Sequence, residues 1–290
     1  MEQQSGPPAR ANTATSVAGV PLDSVHTQPE RQPRGKTIAG RMAVVGHAAL
    51  GFAILIGLWY VVVVAFGLSS LVLPLPTQVL TTIASLARTN GYWRDIVVSL
   101  EEFIVGFVSG SLLGIAAGLA LGISRPARLV GQPIADMLRF VVPFSLIPLV
   151  VAWFGFSPIG KIFLVAWAVL FVMMVSTTRA VDQIDPLLLK AAHMLHLGHG
   201  LRTRRVVIPA ALPKILVGLR VSIGIAWVSV IAAEYLGSTA GLGYMITNAQ
   251  TSLETNVILA GMITIGVIGA ALSAFAQLLI TRVLRARGQY

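Results

Sequence analysis

The sequence predicts an all-α membrane protein with six transmembrane helices. Three observations carry that prediction. Of 290 residues, 56% are hydrophobic and only 11% are charged, with a mean hydropathy of +0.82; a soluble domain of this length exposes more charge. Apolar stretches of about 20 residues, the length that crosses a bilayer, recur along the chain. The cations fall into blocks that match alternate sides of a membrane.

The elements follow in order. Residues 1–40 are rich in Pro, Gly, Ser, Thr and Gln and nearly free of large apolar side chains. Such a segment buries too little surface to offset its ordering entropy, so a disordered cytoplasmic tail is expected. It does not read as a signal peptide, because the apolar stretch begins too late and runs too long. The membrane domain then occupies residues 41–290, with spans expected at 42–67, 97–123, 133–154, 161–178, 212–236 and 256–283. Residues 77–87 read as a short helix outside the membrane.

Charge sets the orientation. With the N-terminus in the cytoplasm, only Arg88, Arg94 and Lys161 fall outside, and Arg139 and Arg220 fall within spans. The rest of the 21 cations lie inside, as the positive-inside rule requires, so both termini are expected in the cytoplasm. This placement accounts for the formal charge of +10 and leaves no reason to invoke nucleic acid. The chain has no cysteine, which excludes disulfides, thiol catalysis and thiolate metal sites.

Within the spans, Gly106, Gly110, Gly114, Gly118 and Gly122 recur every fourth residue and share one helix face. That pattern lets a second backbone approach closely. Pro143 and Pro148 are expected to kink the third span, leaving carbonyls that protein or water must satisfy. Arg139 and Arg220 are the cations at membrane depth, each about two turns from a cytoplasmic end and so near enough to snorkel or to meet a backbone carbonyl in a structural role, and Glu234 sits near an outer end, facing the pathway or the interface. The candidate pathway residues are therefore Arg139, Pro143, Ser145, Pro148, Arg220, Trp227 and Glu234.

Two glycine-rich stretches lead elsewhere. "GFSPIGKI" fits a phosphate-binding loop until Ile162, where a magnesium-binding hydroxyl is needed; it also follows an apolar span instead of a strand. "GSTAGLGY", from Gly237, reads as an external loop, either a gate or a turn.

The insert "KAAHMLHLGHGLRTRRVVIPAALP", from Lys190, separates the fourth and fifth spans. Residues 187–197 suit a helix, with Leu187, Leu188, Ala191, Ala192 and Leu195 on one face, and Gly198 and Gly200 expected to stop it. Pro209 and Pro213 then lead into the next span. A short basic helix between spans suits docking on another protein or lying on a lipid surface. His193, His196 and His199 lack a supporting carboxylate, so no metal site is expected.

From that insert to "GLGYMI" the sequence resembles the EAA coupling region of ABC importer permeases, and it is most similar to the nitrate/sulfonate/taurine group. "LPLPTQVL" from Leu73 and "RFVVPFSLIPLVVAWFGFSPIGKIFL" from Arg139 extend the resemblance over residues 73–283. The resemblance implies a type I importer (MetI-like) fold, paired as a homodimer in the bacterial cytoplasmic membrane. It implies a coupling helix at about residues 186–199, with Lys190, Ala191, Ala192, Leu195, His196, Gly198 and Pro209 as the ATPase-coupling residues. Lys190 stands where the family usually has Glu, and His196 where it usually has Gly, with Gly198 displaced by two. Glu101 and Glu102 stand where related chains often carry a basic residue.

Further implications are that the chain does no chemistry and binds no cofactor. ATP and magnesium belong to a cytosolic ATPase dimer, and a solute-binding protein delivers the substrate, a small anion such as nitrate, a sulfonate or taurine. An ion-gradient transporter is the alternative, which would need acidic residues in the membrane; only Asp136 and Glu234 lie near spans. A membrane enzyme ranks last, because no catalytic constellation emerges.

Overall fold

The computed structural model describes residues 38–196 and 198–286. Residues 1–37 of the expected tail therefore lie outside the described residues, as does Leu197; Ile38, Ala39 and Gly40 already belong to the first helix. The chain separates into two compact units, Met1–Leu55 and Ile56–Tyr290. Helix α1 (Ile38–Ala65) runs across that boundary.

The second unit continues with α2 (Pro76–Leu86), α3 (Asn90–Ile123) and α4 (Arg125–Leu138). A 3-10 turn (Pro143–Leu146) leads into α5 (Ile147–Phe154) and α6 (Pro158–Asp182). Then come α7 (Pro186–Met194), α8 (His199–Arg202), a π turn (Thr203–Val207), α9 (Ile208–Gly237), α10 (Leu242–Thr251) and α11 (Thr255–Ala286).

Among the described residues four helices are long and apolar enough to cross a membrane: Asn90–Ile123, Pro158–Asp182, Gly200–Tyr235 and Thr255–Arg285. The pair α4 and Pro143–Phe154 makes a fifth crossing if taken as one broken span. The apolar part of α1, Leu50–Ala65, is shorter than these. The all-helical membrane class therefore holds, while the expected count of six is not established.

The core of the second unit is the contact between α3 and α6, and glycine makes it possible. All five period-four glycines are buried against α6. A Cβ on Gly110 would stand 2.5 Å from the Ala166 carbonyl oxygen, and one on Gly114 equally close to that of Leu170. Backbones this near leave no room for even one methyl group. Helix α6 also packs against α9, and Val165, Val169 and Met173 of α6 share one buried cluster with Ala226 and Val230 of α9.

The expected third span is not one kinked helix. It breaks between Leu138 and Pro143, and the two halves diverge by 85°. Neither Pro143 nor Pro148 interrupts a helix: Pro143 opens the 3-10 turn and Pro148 lies in the first turn of α5. There a missing N–H costs nothing, because first-turn donors have no partner inside a helix.

A second difference lies in the insert. The chain reverses at His196, whose φ is +49°, and not at the glycines; Gly200 is helical. From His199 the chain runs as one helical rod through Pro209 and Pro213. The π turn before Pro209 relaxes the ladder where proline offers no donor.

Candidate functional site

Three features of the second unit stand out from the packed core. The first is at the end of the bundle where α6 finishes. Asp185 caps α7, its carboxylate accepting from the Leu187 amide at 2.8 Å, and Pro186 fills the first position of the helix. One side of α7 is seated on the protein: Ala192 is 3% exposed and Leu189 packs onto the core cluster that holds Ile184 and Val207. The opposite side is apolar and open. Leu187 and Leu195 are 70% and 72% exposed, and Leu188, Ala191 and Met194 are exposed beside them. Apolar residues spaced one, four, seven and eight apart make a single stripe.

This end is tied together by charge. Arg128 pairs with Asp182 and also donates to the Gly122 carbonyl at 3.1 Å, joining α4, α6 and the end of α3. The Lys214 amine donates to the Gln183 carbonyl at 2.9 Å, joining α9 to the segment that leads into α7. The segment that carries α7 is thus tied directly to α9, and the end of α6 from which it leaves is tied to α4.

The second feature lies where α6 begins. Lys161 pairs with Glu102, and their side chains are only 10% and 4% exposed. The Lys161 amine also donates to the Ser238 hydroxyl at 2.9 Å. Beside this pair, Glu234 accepts from the Ser99 hydroxyl at 2.6 Å and from the Gly243 amide at 2.8 Å. Ser99 in turn accepts from the Leu242 amide at 2.9 Å, and Asp95 from the Gly241 amide at 3.0 Å. Side chains from α3 and α9 therefore take up the successive amides of Gly241, Leu242 and Gly243 in the "GSTAGLGY" stretch, while Lys161 of α6 donates to its Ser238 hydroxyl. Gly241 has φ +117° and presses on the Glu234 carboxyl, so no residue with a Cβ fits there.

The third feature is an open stripe on α9. Lys214, Val217, Arg220, Val221, Gly224 and Val228 are exposed, while Ile215, Ser222, Ile223, Ala226 and Val230 face the core. Arg220 donates to the side-chain oxygen of Gln277 on α11 at 3.0 Å.

The sequence-predicted residues fall into place unevenly. Lys190, Ala191, Leu195, His196 and Gly198 are exposed around α7, Pro209 is half-buried, and Ala192 is buried although its neighbour Ala191 is exposed. Arg139 ends α4 exposed, 3.9 Å from Asp136 and above the Phe140 ring at 4.9 Å. Ser145 is exposed and its hydroxyl donates to the Val142 carbonyl. Trp227 is placed in the core: it is buried edge-on to Phe103 and donates to the Ile265 carbonyl. Glu234 is also buried, within the loop network. Glu102, Ser99 and Asp95 complete that network without having been singled out as partners; their distance from Lys161 and Glu234 along the chain hid the pairing.

A broken span, a glycine-welded helix pair and an open apolar helix between spans define a multi-pass transport subunit. The family described as "Binding-protein-dependent transport system inner membrane component" matches residues 110–288, and the chain belongs to that family. It is 34% identical to the putative aliphatic sulfonates transport permease protein of Bacillus subtilis, over 82% of this chain and 86% of that one. It is also 34% identical to the taurine transport system permease protein of Escherichia coli, over 74% and 80%. The bicarbonate transport system permease protein of Synechococcus elongatus is 30% identical over 67% and 70%.

Solved structures support the fold. The inward-facing methionine ABC transporter MetNI superposes with a TM-score of 0.57 at 19% identity, covering 67% of this chain and 94% of that one. A bacterial ABC transporter that imports the acidic polysaccharide alginate gives 0.60 at 16%, covering 84% and 99%.

Proposed function

We propose that the chain is the permease subunit of an ATP-driven importer for a small anionic solute such as a sulfonate. Two copies would form the pathway, with an ATPase dimer on the cytoplasmic side and a solute-binding protein outside. The observation that carries this reading is the open stripe Leu187, Leu188, Ala191, Met194 and Leu195 on a helix whose other side is anchored. An exposed apolar helix face on a firm base suits insertion into a groove of a partner. The positive-inside rule puts it in the cytoplasm with Arg202, Arg204 and Arg205.

The mechanism then follows from linkage. Closure of the ATPase dimer on ATP draws its two grooves together and carries α7 with them. The Lys214–Gln183 and Arg128–Asp182 ties pass that movement to α9, α6 and α4. Nucleotide and loaded binding protein favour different permease states, so each biases the other's binding. Relatives named for sulfonates, taurine and bicarbonate support an anionic head group on the substrate.

Ala191→Glu tests the reading. It places a charge in the centre of the stripe without touching the core, so the chain should still insert and pair. Stimulation of the ATPase by loaded binding protein should be lost. Full stimulation in that variant, or uptake that persists without any ATPase subunit, overturns the proposal.

A further inference from the structure

Arg220 lies six residues, about 9 Å along the helix, beyond Lys214, which marks the end of α6 through Gln183. It is thus inside the apolar section of the span Gly200–Tyr235. A guanidinium two turns inside a span keeps its head out of the lipid core, and the bond to Gln277 holds this one against α11. Among the described residues no carboxylate lies within ion-pair distance of Arg220; its one bonded partner is the neutral Gln277. That bond uses one of five N–H donors and leaves the planar fork with capacity for an oxyanion. Around it the stripe is built of short side chains, and one turn further on Gly224 has nothing within 4 Å of where a Cβ would stand.

We infer that Arg220 is the anion-receiving group of the pathway, held by Gln277 on a water-filled face made by Val217, Val221 and Gly224. It takes the sulfonate-type head of the solute on its free N–H edge. The Lys214 amine, at the same stripe's cytoplasmic end, continues the positive potential towards the exit. This inference rests on the transport reading above and assigns its substrate class to a residue.

The absence of cysteine makes a direct test available. Gly224→Cys, or the nearly isosteric Val221→Cys, adds a single thiol about one turn or less from Arg220. Full-length chain in membrane vesicles of both orientations is labelled with two methanethiosulfonates of opposite charge, each rate being divided by that reagent's rate with a free thiol in solution. One carries an ethylsulfonate and the other an ethyltrimethylammonium group. With Arg220 present the sulfonate reagent should react faster relative to the cation. One unit charge at this separation in water alters the ratio about tenfold. Arg220→Gln should abolish that preference, and Arg220→Lys should keep most of it.

No reaction with either reagent at both thiols would place the stripe against lipid or in a sealed interface and overturn the inference. So would a ratio that Arg220→Gln leaves unchanged. The labelling requires neither ATPase nor binding protein, so its failure is separate from a failure of the Ala191→Glu test.

Discussion

Lys161 and Glu102, 59 positions apart, form an ion pair almost wholly withdrawn from solvent between the start of α6 and the first half of α3. A pair of this kind is strongly destabilising to break, because the remaining charge has no water to solvate it. Lys161→Ala is expected to cost about 3–5 kcal/mol. The double variant Lys161→Met, Glu102→Leu should recover most of that loss. Thermal unfolding of the detergent-solubilised chain checks both, and additive losses would contradict the pairing.

The loop network makes a prediction of a different kind. Glu234 accepts two hydrogen bonds, one on each carboxyl oxygen, from Ser99 and from the Gly243 amide. Glutamine can accept only one of them and sets an amide donor against the other. Glu234→Gln should therefore lose one of the two bonds and loosen the seat of the Gly243 amide and of Ser99, at a cost of about 1–3 kcal/mol. Hydrogen exchange over residues 238–244 should accelerate while exchange in α3 and α6 stays slow. Unchanged protection of the loop would refute this role.

Glycines with and without neighbours should respond oppositely to the same change. Gly110→Ala drives a methyl group into the Ala166 carbonyl, whereas Gly266→Ala meets nothing within 4 Å. The first should destabilise by about 1–3 kcal/mol through overpacking. The second should be neutral or slightly stabilising, since alanine has the better helix propensity by about 1 kcal/mol. Paired melting curves decide it.

His196 holds the reversal after α7 with a left-handed backbone. Histidine tolerates this conformation better than most residues, but its Cβ still carries a penalty. His196→Gly should raise the melting temperature, by up to about 1 kcal/mol in stability, and His196→Val should lower it. A drop in the glycine variant would show that the imidazole makes a contact more valuable than the relief of strain.

Legibility in the sequence divided along physical lines. The glycine ladder on α3 was readable because its signal is periodic and local: four residues return to the same helix face. The short helix of the insert is legible from small and apolar side chains between basic flanks, although Ala191 and Ala192 part company in three dimensions. Neighbours in sequence lie about 100° apart on a helix, and the exposed side runs through Met194 and not Ala192. The break at residues 139–142 is not legible because proline signals a helix start as readily as a kink. Reversal at His196 was hidden because two glycines nearby looked better suited to it. Glu102 read as a departure from related chains until Lys161 was found against it, a pairing that only tertiary structure reveals.

The closeness of α3 and α6 bears on how such a subunit moves. Helices separated by a layer of side chains can slide as that layer repacks. Here the carbonyl oxygens of Ala166, Leu170 and Met174 lie against Gly110, Gly114 and Gly118, and short valine side chains against Gly106 and Gly122, so little deformable material separates the helices. The two helices are therefore a single stiff beam. Any change of shape during a transport cycle is left to the joints on either side of it: the sharp elbow at residues 139–142 and the slack π turn before Pro209.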